Sequence, residues 1–440
     1  SRRCHDHGHG MIVGPVDLRI GQTSLGGGLD SQVLLHLLAG LKGEHSFELI
    51  AIHVNHGLQE ASADWGRDSD AVCKALKIPY KQIDLKIERV KGQSLEAQAR
   101  NARYHAFQQE MQEGDVLVTA HHQDDQAETM MLQLLRGSGV SGLAAMPEMA
   151  AFGPGHLFRP LLDVSRSDLE SYANTQGLRW VEDASNLDTD FDRNYLRHNI
   201  FPLLKQRWPG VGRTLSRSAG YCAEARDLLE VLAEQDLAAV INRAENTLSV
   251  PGLAGLSDAR ARSVLRHWIQ QSGFSYPNSK RVHEITTGVI HAQIDRTPVV
   301  QWQGCEVRRY RDRLFIMPPL QFPSEGLVMA WNGEGMLELP CGLGRVTLSD
   351  SANGIPRERI VRRRLTIAFD SSGLRYYPAG QHSSRSLKNY FQEQGVPPWQ
   401  RGRIPLLFAE GELLAVGDLL VNAPVDTLPD QNCARLNWLK

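Results

Sequence analysis

Gly26-Gly27-Gly28-Leu29-Asp30-Ser31 is the stretch whose reading decides the fold. An apolar helical pattern follows at once, carried by Val33, Leu34, Leu35, Leu37, Leu38 and Leu41. Glycines let a backbone approach a phosphate closely. A helix opening behind them aims unpaired N–H groups and a partial positive charge at that anion. Asp30 and Ser31 fall in the first helical turn, where Asp can hold Mg2+ and Ser can donate a hydroxyl. No Gly-Lys-Ser/Thr follows, so the stretch is not a Walker loop. Taken alone, the hexapeptide also reads as an ordinary glycine-rich turn before a helix. The approach, Gly21 to Leu25, lacks the Val, Ile and Leu run of a buried parallel strand.

Outward from this loop, residues 12–205 alternate strand and helix. Glu48 to Asn55 is a short apolar strand, Ala61 to Leu76 a helix, and Tyr80 to Ile87 an alternating strand. Leu95 to Met111 reads as a helix, Asp115 to Ala120 as a compact strand, and His122 to Leu135 as a helix stopping at Gly137. This rhythm predicts an α/β fold, a parallel sheet covered on both faces. Ligands in such sheets bind at the carboxyl ends of the strands. Gly26–Ser31 and His121–Thr129 both fall at such ends, so they can line one cleft.

Beyond, 208–242 is a helical connector, 243–320 a mixed unit ended by Pro318-Pro319, and 337–437 a strand-rich unit with one helix from Ser386 to Gln394. Residues 1–17 read as a disordered leader in which His5, His7 and His9 alternate.

The bulk properties exclude several classes. The 440 residues predict about three domains. No apolar run approaches the ~20 residues of a membrane span. Six scattered cysteines without a Cys-x-x-Cys pair suit a reducing compartment and argue against a zinc ribbon or iron–sulfur site. A net charge of −2 excludes a uniformly basic nucleic-acid binder. Two arginine islands, Arg308/309/311/313 around Tyr310 and Arg357/359/362/363/364, can still neutralise phosphates locally or form a salt-bridged face.

Two further motifs carry chemistry. In His121-His122-Gln123-Asp124-Asp125-Gln126-Ala127-Glu128-Thr129, Asp125 and Glu128 share a helix face. Two carboxylates there ask for a cation, either Mg2+ or an ammonium group. An exposed acidic first turn is the bland alternative. The third motif is Glu182 to Asp188 followed by Arg193-Asn194-Tyr195-Leu196-Arg197, in which Arg193 and Arg197 face the same way on a helix.

Together these motifs resemble the tRNA(Ile)-lysidine synthetase family of the PP-loop ATP pyrophosphatases. The likeness runs from about residue 18 to 425 and includes His53 to Leu58, Glu96 to Arg100, Arg385 to Lys388 and Gly395 to Trp399. It implies an N-terminal doubly wound PP-loop domain over 18–207, then the helical connector and two smaller α+β C-terminal domains, a middle substrate-binding one and a last one that binds tRNA. It implies ATP and Mg2+ as cofactors, and a tRNA(Ile) with a CAU anticodon and L-lysine as partners. A cytoplasmic location without a membrane is expected, and a homodimer is left open. The implied activity is ligation of lysine to C2 of the wobble cytidine through an adenylated intermediate.

The resemblance also implies roles. Gly26, Gly27, Gly28, Leu29, Asp30 and Ser31 border ATP, with Asp30 beside Mg2+, and His53 and Arg100 flank the nucleotide. Asp125 and Glu128 suit the lysine ammonium or the metal. Arg193 and Arg197 suit the lysine carboxylate or a phosphate. Arg385 and Lys388, one helical turn apart, suit a tRNA backbone phosphate, and Trp399 either packs or stacks. Gly26 departs from the family pattern, which has Ser there. Two other classes remain open: a thiolating PP-loop enzyme, disfavoured by the lack of paired cysteines, and a tRNA-binding homologue with impaired catalysis.

Overall fold

The computed structural model describes residues 17–22, 28–42, 45, 47–55, 62–85, 95–181, 188–275, 277–292, 297–352, 354–378, 381–422 and 432–439. Residues 1–16, Gly26, Gly27 and Glu182 to Leu187 lie outside the described residues, while Asp17, expected as the end of the leader, opens the first strand. The chain divides into two units, residues 1–229 and 230–440.

The first unit is built from β1 (Asp17–Gln22), α1 (Leu29–Leu41), β2 (Glu48–Asn55), α2 (Ser62–Ala75), β3 (Tyr80–Asp84), α3 (Leu95–Glu110), β4 (Val116–Val118), α4 (Gln123–Leu135), α5 (Val140–Leu143), β5 (Met149–Phe152), β6 (Gly155–Phe158) and α6 (Arg166–Thr175). Next come α7 (Asp192–Tyr195), one π-helical turn (Leu196–Ile200), α8 (Phe201–Arg207) and α9 (Val211–Val240), within which the division into units falls. The strand order is β3-β2-β1-β4-β6-β5. All neighbours pair parallel except the β5–β6 hairpin, which adds an antiparallel edge. Gly155 opens β6 because a Cβ there would lie 2.0 Å from the Asp115 carbonyl oxygen.

Alternation along the strands covers both faces. Leu49 and Ala51 of β2 and Val118 of β4 enter one core with Val33, Leu34 and Leu35 of α1 and Leu169 and Ala173 of α6. Ile52, Val54 and Leu117 point the other way, against Ala106 and Phe107 of α3. β1 sits between β2 and β4, so the strand order reverses there. The crevice outside the carboxyl ends of β1 and β4 is therefore the place for a ligand. Of the approach to the loop, Gly21 and Gln22 belong to β1, which pairs with β2 over Asp17 to Gln22 and with β4 over Leu18 to Ile20, while Thr23 to Leu25 lie outside the described residues.

The second unit continues with β7 (Ile241–Asn242), β8 (Thr247–Ser249), α10 (Val250–Ala254), α11 (Asp258–Gln271), α12 (Ser279–Glu284), β9 (Val299–Trp302), β10 (Cys305–Tyr310) and β11 (Arg313–Met317). Its remaining elements are β12 (Val328–Trp331), β13 (Leu337–Glu338), β14 (Arg345–Ser351), β15 (Ile355–Pro356), β16 (Leu365–Ala368), β17 (Arg375–Tyr376), β18 (Arg385–Ser386), α13 (Leu387–Glu393), α14 (Pro398–Arg401), β19 (Leu406–Ala409), β20 (Glu412–Val416), β21 (Leu420–Val421) and β22 (Cys433–Leu439). Strands β7-β8-β11-β10-β9 form one antiparallel sheet, and β12-β16-β19-β20-β21 and β13-β14-β22-β15 form two more. Trp399 of α14 is buried and meets Tyr310 and Phe315 edge-on, at ring-centroid distances of 6.1 and 5.5 Å. It packs the unit and offers no free face for a base.

Several arginines of the two islands are engaged internally, while Arg362, Arg363 and Arg364 are exposed. Arg309 is buried and donates to the carbonyls of Val289, Ile290, Ala292 and Arg311. Arg308 forks onto Glu306 and lies over Trp399, and Arg313 pairs with Glu245. In the second island Arg359 is buried against Asn422 and Glu412, and Arg357 pairs with Asp350. Arg385 and Lys388 are both exposed, but Arg385 lies in β18, ahead of α13, so the two are not one helical turn apart. Among the described residues no helix is long and apolar enough to cross a membrane.

Candidate active site

Gly28 caps α1 in extended backbone, and as glycine it supplies no side chain to its first turn. A helix start of this kind turns its first amides toward an anion. Asp30, in the same turn, has Oδ1 buried with no hydrogen-bond partner among the described residues. Its Oδ2 lies 3.6 Å from His122 Nε2 and 3.8 Å from Arg166 Nη1. Burial raises the Asp30 carboxyl, against the pull of His122 and Arg166. Ser31 is buried one residue on.

Across the switch point, β4 ends and α4 begins. His122 is the N-cap, and its amide donates to Asp125 Oδ2 at 3.1 Å. His122 Nε2 also approaches Asp125 Oδ2 at 3.4 Å, so one buried imidazole stands between Asp30 and Asp125. The start of α1 and the start of α4 thus meet at one crevice.

The carboxylates Asp125 and Glu128 find their cation within the protein. Arg197 Nε donates to Glu128 Oε1 at 2.6 Å, and its Nη2 reaches Glu128 Oε2 at 2.8 Å and Asp125 Oδ1 at 3.1 Å. Arg193 Nε lies 3.5 Å from Glu128 Oε2, and its Nη2 donates to Thr129 Oγ1 at 2.7 Å. A bidentate fork on a buried carboxylate is the geometry guanidinium favours. The one-face reading of Arg193 and Arg197 thus has its reason: α7 and the π-helical turn present both to α4. Burial would raise the Asp125 carboxyl, but His122, His121, Arg193 and Arg197 outweigh it and hold it below the usual range. Arg197 is held charged, since Glu128 and Asp125 outweigh its burial.

The remaining expected residues stand further out. His53 is buried on β2, beside Gln22 at the end of β1; burial lowers its pKa, and its Nδ1 has no partner among the described residues. Arg100 is exposed on α3 with its guanidinium 5.1 Å from the Tyr104 ring centroid. Among the described residues no ion pair or hydrogen bond ties either of them to Asp30. Among the described residues no group of three or more His, Cys, Asp and Glu side chains is arranged to hold a metal. The orphaned Asp30 Oδ1 still fits Mg2+, which takes one or two carboxylates and completes its shell with phosphate and water.

Two residues, Arg166 and Lys205, had no signal in the sequence. Arg166 opens α6 and reaches Asp30 only through the fold. Lys205 of α8 pairs with Asp124 Oδ1 at 2.7 Å, while Asp124 Oδ2 takes the Arg166 amide at 3.1 Å. Asp124 therefore braces the starts of α4 and α6 against the last turn of α8, and its neighbour Asp125 faces the crevice. His121 bonds Thr119 Oγ1 through Nδ1 at 2.9 Å, and burial pushes its pKa down to about 3.

A parallel sheet with a glycine-capped helix and acidic first turns at its switch point defines a nucleotide-binding domain of the PP-loop class, and the PP-loop domain model matches residues 17–204. Models of the TilS substrate binding domain and the TilS substrate C-terminal domain match residues 248–315 and 365–438. The chain is 41% identical to the tRNA(Ile)-lysidine synthase of Coxiella burnetii, over 89% of this chain and 86% of that one. It is 42% identical to that of Alkalilimnicola ehrlichii, over 93% and 92%, and 37% identical to that of Serratia proteamaculans, over 95% of each. The chain belongs to the tRNA(Ile)-lysidine synthase family.

Proposed function

We propose that this protein joins L-lysine to the wobble cytidine of a tRNA(Ile) bearing a CAU anticodon, at the expense of ATP. The C2 oxygen of the base attacks the α-phosphate. The bond from that phosphorus to the bridging oxygen breaks, and pyrophosphate leaves with the electron pair. The ε-amine of lysine, having lost a proton, then attacks C2, and AMP leaves with the former C2 oxygen. No nucleophilic side chain is needed; positioning and charge carry the steps.

The observation that carries this reading is the meeting of the α1 and α4 starts, with His122 Nε2 3.6 Å from Asp30 Oδ2, in a member of this family. Gly28 and the first amides of α1 receive the phosphates, with Ser31 alongside. Asp30 would hold Mg2+, which when bound offsets charge on the pyrophosphate. Glu128 and Asp125 fit the lysine ammonium if it exchanges with the Arg197 guanidinium, and Arg193 or Arg197 fits the lysine carboxylate. His53 and Arg100 flank the nucleotide. Arg385 and Lys388 contact the tRNA backbone.

The purified chain is tested with labelled lysine, ATP, Mg2+ and the tRNA transcript. Lysine is expected to enter tRNA with release of AMP and pyrophosphate. Asp30→Ala is expected to abolish this while tRNA binding stays within about twofold, since Asp30 acts on the nucleotide. Absence of lysine incorporation by the wild type, or equal turnover by Asp30→Ala at saturating ATP, overturns the reading.

A further inference from the structure

We infer that Arg166 is the cation that receives the leaving pyrophosphate, a role that rests on the proposed function and completes its first step. The leaving group gains charge as the Pα–O bond breaks, and a single divalent ion leaves part of that charge uncompensated. Among the described residues, the cations of α7, α8 and the π-helical turn at the crevice have partners of their own. Arg197 forks onto Glu128 and Asp125, Arg193 bonds Thr129 beside Glu128, and Lys205 holds Asp124.

Arg166 is placed differently. It is the first residue of α6, its amide fixed by Asp124 Oδ2 at 3.1 Å and its Nε by Glu170 Oε1 at 3.1 Å. These two anchors leave the Nη1 edge facing Asp30 Oδ2 at 3.8 Å. His36 Nδ1 of α1 meets the Tyr172 hydroxyl of α6 at 2.9 Å, and both helices share one core, so the two helix starts are held in register. The Arg166 side chain is 38% exposed, which leaves it open to an incoming ligand. Asp30 Oδ1 beside it is the buried, unpartnered oxygen already described.

Arg166 is therefore an exchangeable counter-ion. Before ATP arrives it faces Asp30. A divalent ion held by that carboxylate would free the Arg166 Nη groups for the phosphate oxygens. They donate hydrogen bonds to the bridging oxygen as it takes the electron pair, and no proton is transferred. Such a donor aimed at developing charge acts mainly on the rate of the step.

The test separates the two half-reactions in the full chain. Step one is read as tRNA-dependent exchange of labelled pyrophosphate into ATP. Step two is read as lysine capture by adenylated tRNA prepared with wild-type enzyme. Arg166→Ala is expected to slow exchange by about 10²–10³-fold, the usual cost of one lost donor to developing charge. Lysine capture should stay within about twofold, well inside the range of a single weak contact. Arg166→Lys keeps the charge without the fork and should recover part of the exchange rate. Equal loss in both half-reactions, loss in neither, or no recovery in Arg166→Lys overturns the inference. A wild type that makes no lysidine refutes the underlying reading instead.

Discussion

At the scale of single residues, the site is a set of charges that would be costly apart. Glu128 is almost fully buried and depends on the Arg197 fork. Removing one partner of a buried pair leaves the other uncompensated, at a cost of about 3–5 kcal/mol. Arg197→Met is therefore expected to destabilise the first unit by that order, measured by urea unfolding. Arg197→Met with Glu128→Gln should cost less than the sum of the two single changes; additive costs would show that the pair is not coupled. His121 gives a pH signature. Its folded pKa is about 3 against 6.5 for the ordinary group. Below pH 6.5 the unfolded chain takes a proton that the folded one refuses, so stability is complete above that pH and falls as pH drops toward 3. The slope for one proton is at most about 1.4 kcal/mol per pH unit. His121→Gln should lose about 1–2 kcal/mol less than wild type between pH 7 and 5, read from hydrogen exchange of β4 amides. Identical slopes for the two proteins would refute it.

At the scale of elements, the fold was legible where local signals agree with the ladder. The apolar residues of β2 and α1 announce themselves, and α4 begins where its strand-then-acid pattern says it should. β1 was not legible, because its extended conformation comes from β2 and β4 and not from its own residues. The partners of Arg197 were not legible either: the helix spacing shows that Arg193 and Arg197 face one way, but Glu128 lies 69 residues from Arg197 in sequence. Asp124 and Asp125 look alike in sequence, yet one position along the first turn sends one to Lys205 and the other to the crevice. The close approach at the β6 start is a further example, since nothing local marks Gly155. A Cβ there would press on the Asp115 carbonyl, which accepts from the His156 amide at 3.0 Å. Gly155→Ala is expected to destabilise the β4–β6 pairing by about 1–3 kcal/mol, the usual cost of overpacking. Unchanged protection of the β6 amides against exchange would refute this.

At the scale of the whole molecule, the question is where a nearly neutral chain attracts a polyanion. The arginine islands looked like the answer, but Arg309, Arg308 and Arg359 spend their donors on the second unit's own carbonyls and carboxylates. A guanidinium bonded in that way fixes the fold and has little left for phosphate. Arg385 and Lys388 differ. Both are exposed, and the nearest carboxylate to Arg385 is Glu393, 3.9 Å away across solvent. An exposed pair of that kind contributes little to stability. Phosphate contacts position a nucleic acid and release counter-ions, so each one lost should flatten the log–log salt dependence of binding by about one unit. Arg385→Ala with Lys388→Ala is therefore expected to raise KM for tRNA, reduce the salt slope by up to about two units, and leave KM for ATP and lysine and the unfolding midpoint unchanged. Arg309→Met should do the reverse: it strands several buried carbonyls, at about 1–3 kcal/mol for each group left unsatisfied, and lowers the unfolding midpoint while the salt slope stays the same. Filter binding across a salt series, with thermal unfolding of the same proteins, separates the two outcomes. A double variant with the wild-type slope would move the tRNA contact away from Arg385 and Lys388.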